Sequence, residues 1–280
     1  MSAASPSRWS LLTVALIAGM EWGAATLDGA PPTSSTGADV LIPGGDYVPF
    51  SKGVRDAAHV HVAPFLMDEY PVTNAEFFKF VQGNPKWKRS RVSRLFADST
   101  YLADWAGDDE LGAKAPDDSA VVHVSWFAAR AYARWRGKRL PNTTEWEYAA
   151  SAGYTQLSGK SDFQLNRDLY AWLARPDSGT QPSVKTAKPN FYGVRGLHCL
   201  VWEWVEDFNT ALDVGGDNGG DQNLFCAGGA SNVKDSGDYA AFMRQALRSS
   251  LKANNTTSSL GFRCARSVEP VAALLTTPTD

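Results

Sequence analysis

Three stretches of the chain repeat apolar residues at helical spacing, and each opens on a side chain suited to cap a helix. Thr73 and Glu76 precede Phe77, Phe80 and Val81, so the Thr73 hydroxyl can meet the Glu76 amide while the Glu76 carboxylate returns to the Thr73 amide. Gly83-Asn84-Pro85 ends that helix. Ser125 is the N-cap of a second, with Ala128, Ala129, Tyr132 and Trp135 on its inner face and Gly137 just past its end. Asn142 and Glu145 form another capping box, and Trp146, Ala149 and Ala150 supply the buried stripe of a third helix. Leu41 to Phe50 is predicted as a strand with a turn, and His59 to Asp68 alternates like a half-buried strand. Beyond Ala150 periodicity fades, and polar, Gly-rich connections such as 214–222 separate short strand-like pieces. The pattern predicts a single α+β domain with few helices and much irregular backbone.

Composition adds bounds. A chain of 280 residues can bury a sizeable core, and ten tryptophans are an unusually large aromatic supply for it. A net charge of −3 without long like-charge runs excludes a nucleic-acid-binding character. The apolar run from Trp9 to Met20 is too short to span a bilayer, which needs about 20 residues. With Arg8 before it and Gly23-Ala24-Ala25 after it, the run reads as a secretory signal over residues 1–25, although Glu21 and Trp22 are atypical there. The other reading is an unstructured cytoplasmic N-terminus. Residues 26–40 are predicted as a Pro/Gly/Ser linker, 41–268 as the domain and 269–280 as a tail. Export places the mature protein in the periplasm, with no membrane span. Cys199, Cys226 and Cys264 are too few for a disulfide framework and match no zinc spacing. His59 and His61 share a strand face, and a surface or core pair explains them better than a metal site.

Four blocks in order carry a family resemblance. They are Val121-Val122-His123-Val124-Ser125-Trp126, Gly137-Lys138-Arg139-Leu140-Pro141 running on to Ala149, Val201-Trp202-Glu203-Trp204, and Leu260-Gly261-Phe262-Arg263-Cys264-Ala265-Arg266. Over roughly Ile42 to Arg266 the chain resembles the formylglycine-generating enzymes, or sulfatase-modifying factors, whose fold is a C-type lectin-like core low in regular secondary structure. The family's chemistry uses two cysteines that bind copper, because soft thiolates hold that metal. Here the matching stretch from Gly228 to Ser249 has none. Aligned from Arg248-Ser249, one family cysteine falls on Ala240; aligned from Gly228-Gly229, the other falls near Val233. Formylglycine formation through a thiolate-copper centre is therefore not expected, and neither copper nor iron is expected as a cofactor. The resemblance also implies a disulfide from Cys264 to a helix position that here is Ala133, so Cys264 is either a buried hydrophobe or the partner of Cys199 or Cys226. It implies a structural calcium on the turn at Gly196, Cys199, Val201 and Glu203, with Gly196 standing where the family offers Asn or Asp. The other reading of Glu203 is an acceptor for turn amides.

Within the family, Trp87-Lys88-Arg89-Ser90-Arg91-Val92, Tyr101 to Trp105 and Val201 to Asn209 resemble a cysteine-poor, exported bacterial subgroup. Its members are implied in oxidative maturation of the siderophore pyoverdine or are encoded beside copper nitrite reductase. The implied partner is a small-molecule or peptide substrate, such as a siderophore precursor, or else a periplasmic enzyme. A non-catalytic binding module is the third reading. In the segment that lost the cysteines, Asp235, Asp238 and Tyr239 are the acid/base candidates and Arg244 an anion holder. A solvated loop with Tyr239 packed inward accounts for that segment equally well. Arg244, Arg248, Arg263 and Arg266 are otherwise expected to form internal ion pairs with Glu145, Glu147 or Asp207.

Overall fold

A computed structural model describes residues 37–49, 59–175, 179–209 and 236–268. Among these residues, seven short strands form three small sheets. Strands β1 (Asp39–Ile42), β4 (Phe65–Asp68) and β7 (Ala265–Ser267) make an antiparallel sheet with β4 in the middle. β2 (Gly45–Tyr47) pairs antiparallel with β3 (Val60–Val62), and β5 (Trp202–Trp204) pairs parallel with β6 (Leu260–Phe262). Five α-helices are described: α1 (Asn74–Gly83), α2 (Trp126–Trp135), α3 (Thr143–Ala150), α4 (Phe163–Leu173) and α5 (Ser236–Ser250). None of them is long and apolar enough to cross a membrane.

The first three helices start where their caps predict. Both capping boxes are formed, Thr73 with Glu76 and Asn142 with Glu145, and the Ser125 hydroxyl accepts from the Ala128 amide. Gly137 follows α2 at a φ of 67°, a left-handed conformation that costs glycine little. The predicted inner faces are buried: Phe77, Phe80 and Val81 from α1, and Ala128, Ala129, Tyr132 and Trp135 from α2. Phe77 lies at the centre of the core, its ring 5.7 Å from Tyr132 and 5.9 Å from Phe262. Burying side chains of that size contributes about 1.5–3 kcal/mol each.

The structure corrects the expected layout in several places. β1 begins at Asp39, inside the segment assigned to the linker, and Asp39 stands opposite Asp68 across the ladder. Like charges in that position repel, and the Lys138 ammonium lies 2.5 Å from a carboxylate oxygen of each. The strand expected over His59 to Asp68 is broken at Ala63-Pro64 into β3 and β4, since Pro64 has no amide to donate. His59 and His61 are surface residues, and His61 Nδ1 meets Asp46 at 3.1 Å. Trp146 and Trp204 are buried in the core, while Trp126 and Trp202 are half-buried. Cys264 is fully buried, in the same core cluster as Ala133, and both it and Cys199 are free thiols; Cys226 lies outside the described residues. α4 and the regular helix α5 replace what the pattern had as irregular backbone.

The parallel pair β5–β6 positions the site. Gly261 sits so close to the Val121 carbonyl that a Cβ would fall 2.5 Å from it, so the Leu-Gly-Phe block needs its glycine for contact. β6 thereby holds β5 against α3, and with it Glu203.

Candidate functional site

Two buried acid–arginine centres meet at Trp146. In the first, Glu203 on β5 and Arg263 just past β6 have fully buried side chains. Arg263 Nε and Nη2 each donate to the Glu203 carboxylate at 2.8 Å, and Trp146 Nε1 donates to Oε2 at 2.7 Å. The remaining guanidinium donors reach the carbonyls of Asp68, Glu69 and Arg195, at 3.1, 3.2 and 2.8 Å. All five N–H groups of Arg263 are satisfied, and one cation faces one anion.

The second centre lies on the other side of the indole. On α5, Ala240, Arg244 and Arg248 are spaced by four and therefore share a helix face. Arg244 clasps Glu147 with Nε at 2.9 Å and Nη2 at 2.5 Å, and Arg248 Nη1 meets the same carboxylate at 2.7 Å. Both guanidinium groups lie over the Trp146 ring, 5.0 and 5.2 Å from its centroid. Burial alone would raise the Glu147 pKa, but the two guanidinium groups outweigh it and hold the carboxyl at about 2. His198 bridges Arg244 and α3. Its Nε2 donates to the Ala150 carbonyl at 2.7 Å, which leaves Nδ1 to accept from Arg244 Nη1 at 3.3 Å. Burial, followed by the charge of Arg244, pushes the His198 pKa down to about 4, so the ring is neutral at pH 7.

A cleft opens beside this second centre, about 630 Å³ when the solvent at its mouth is included. Tyr47 from β2, Glu147 and His198 line it on one side, Lys160 and Leu165 on another, and Asp238, Ala240 and Arg244 of α5 on the third. Asp238 is half-buried and stands 3.6 Å from the Lys160 ammonium. Of the residues singled out from sequence, Asp238 and Arg244 thus come together in the cleft. Tyr239 does not line it, because the next helical position points away and its ring lies 6.4 Å from that of Tyr170. Asp235 and Val233 lie outside the described residues. Ala240, the position of one family cysteine, is buried in the cleft wall and offers only a methyl group. Arg244 is engaged by Glu147, Arg263 by Glu203, and Arg266 by Asp39 at 2.9 Å. Glu145 is instead paired with Arg139, and Asp207 receives the Thr143 amide and hydroxyl.

The calcium ligation implied for Glu203 does not fit this donor set. Calcium takes six to eight hard oxygens, and the Glu203 carboxylate already accepts two bonds from Arg263 and one from Trp146. The Gly196 carbonyl accepts the Cys199 amide at 3.4 Å, and the Leu200 carbonyl accepts Trp172 Nε1 at 3.1 Å. Val201 is buried and Cys199 half-buried in the same turn. Among the described residues no group of three or more His, Cys, Asp or Glu is placed to hold a metal. Glu147, His198 and Lys160 were not read as site residues from sequence. The signal that could have found Glu147 is the spacing of Ala240, Arg244 and Arg248, a cationic helix face that must bury against a carboxylate.

The profile of the sulfatase-modifying factor enzyme 1-like domain matches residues 24–268. The chain is 31% identical to a formylglycine-generating enzyme of Streptomyces coelicolor over 86% of this chain and 92% of that one. It is 33% identical to the inactive C-alpha-formylglycine-generating enzyme 2 of Bos taurus, over 76% and 80% of the two chains. A solved structure of PvdO from Pseudomonas aeruginosa aligns with a TM-score of 0.46 at 18% identity, covering 82% of this chain and 94% of that one. Two of the four blocks, Val201 to Trp204 and Leu260 to Arg266, supply the acid–arginine pair of the first centre, and a third, Gly137 to Ala149, supplies Trp146. The chain belongs to the sulfatase-modifying factor, or formylglycine-generating-enzyme-like, domain family.

Proposed function

We propose that this protein is an exported maturation factor that has exchanged its family's thiolate chemistry for proton transfer in the cleft, tailoring a catechol-bearing siderophore precursor such as that of pyoverdine. The observation that carries this reading is Asp238, a half-buried carboxylate lining the cleft two residues before the alanine that stands for a family cysteine. A catechol-type precursor is itself readily oxidised and needs chiefly a positioned base. Two protons and two electrons leave the substrate. Asp238 takes the first proton, water takes the second, and dissolved dioxygen accepts both electrons with two protons to become hydrogen peroxide. Resemblance to the cysteine-poor subgroup supplies the substrate class. A second reading, an accessory factor for a periplasmic metalloenzyme such as copper nitrite reductase or a non-catalytic binding module, draws support from the pairing of Arg244 with Glu147.

The test is complementation of a strain lacking this protein, with siderophore fluorescence and oxygen uptake as readouts. Asp238→Asn is expected to lower the rate of chromophore formation on the order of a hundredfold. Tyr239→Phe is expected to behave as wild type, since its ring faces Tyr170. Full fluorescence from Asp238→Asn removes the catalytic reading and leaves the accessory one.

A further inference from the structure

We propose that the cleft receives an anionic group of its ligand, a carboxylate or phenolate, against the guanidinium of Arg244. The proposal rests on the reading above that the substrate binds in this cleft. It follows from a charge imbalance that the first centre does not share. In the floor of the cleft two guanidinium groups, Arg244 and Arg248, face one carboxylate, Glu147, while Lys160 and Asp238 face each other at 3.6 Å. The other polar groups facing the cleft are uncharged at neutral pH: burial raises the Tyr47 phenol and lowers the His198 imidazole. Arg244 and Arg248 have side chains only 8% exposed, yet they share a single carboxylate. An excess cation held away from water is costly unless an anion reaches it. Arg244 borders the open volume of the cleft, whereas Arg248 does not, so Arg244 is the group an entering anion meets. Lys160, mostly exposed at the mouth, adds attraction along the approach.

Calorimetric titration of the full-length protein tests this with 2,3-dihydroxybenzoate, benzoate and uncharged catechol as probes. Both anions are expected to bind at least about tenfold more tightly than catechol, as a charge-assisted contact requires, and to weaken as salt is raised. Glu147→Gln, which removes the competing carboxylate, is expected to tighten 2,3-dihydroxybenzoate binding. Arg244→Met is expected to abolish the preference for anions. Because Arg244→Met can unfold the domain, Lys160→Gln provides a surface variant, expected to weaken anion binding a few-fold while leaving catechol unchanged. Equal affinity for catechol and the anions, no binding of any probe, or weaker anion binding by Glu147→Gln would each overturn the proposal. Its failure differs from that of the functional reading. Anion binding with full turnover by Asp238→Asn overturns the catalytic role alone, and charge-blind binding with turnover lost in Asp238→Asn overturns the anion site alone.

Discussion

The two acid–arginine centres around Trp146 are built from the same parts and end in different states. On the indole N–H side, Glu203 and Arg263 meet one to one, every donor of the guanidinium has an acceptor, and no surface of either side chain reaches solvent. Against the indole face, one carboxylate serves two guanidinium groups and the assembly borders a cleft. A balanced, sealed pair specifies how segments pack. An unbalanced cluster at a cavity wall carries an excess positive charge that water or an anion entering the cavity can stabilise. The contrast separates scaffold from site more clearly than residue type does, since both centres draw on residues from the family's ordered blocks.

Removing a partner from each side tests the contrast. Arg263→Ala leaves Glu203 as a buried, uncompensated anion and is expected to cost about 3–5 kcal/mol in denaturant unfolding, the largest single effect anticipated. Glu147→Gln keeps the shape, but its amide nitrogen cannot accept from a guanidinium and at least one of the three bonds is lost; because Arg244 borders a cleft that water can enter, about 1–3 kcal/mol is expected. Equal costs for the two would break the distinction.

A smaller effect sharpens it. The His198 pKa is depressed to about 4 from its ordinary 6.5, so the stability linked to it is complete above pH 6.5 and is lost as pH falls toward 4. Glu147 adds a second loss, from pH 4.5 downward to about 2. Melting temperature is therefore expected to decline steadily below pH 6.5, and His198→Gln should flatten the upper part of the decline while keeping the lower part. A flat profile in the wild type between pH 7 and 5 would show that the second centre is already solvated. The smallest effect expected is none. A calcium chelator should leave the melting temperature unchanged, because Glu203 is occupied by Arg263 and Trp146. A drop that Glu203→Gln abolishes would restore the calcium reading.

What could be read from sequence follows the range of the interactions. Thr73 with Glu76 and Asn142 with Glu145 are contacts three residues apart, so their helices and starting points were visible. α4 was not, because exposed Phe163 and Tyr170 blur the buried stripe of Leu165 and Leu169. α5 was hidden for a different reason: Arg244 and Arg248 interrupt the apolar stripe of its inward face, although their pairing with Glu147 was among the ion pairs expected. The family blocks identified the fold, and they also located Glu203 and Arg263. They could not pair them, since the carboxylates considered for Arg263 were Glu145, Glu147 and Asp207, and the choice among partners is made by tertiary packing. In the candidate site, Asp238 and Arg244 were legible as chemistry. That Tyr239 turns away depended on knowing that the segment is helical.

The parallel pairing of β5 with β6 also bears on when the molecule can acquire its site. A parallel pair cannot close as a hairpin, so β5 waits for a partner from a distant part of the chain. The Arg263 side chain that follows β6 must reach Glu203 across 60 positions and the Asp68 carbonyl across 195. Contacts of that separation form slowly and late. On a growing polypeptide, Glu203 has no counter-charge until residue 263 has emerged from the ribosome, whatever the earlier helices have achieved. Assembly of the scaffold beside the cleft thus depends on the segment from residue 260 onward, and fragments ending before it should lack the β5–β6 pair even where α1 to α3 are formed.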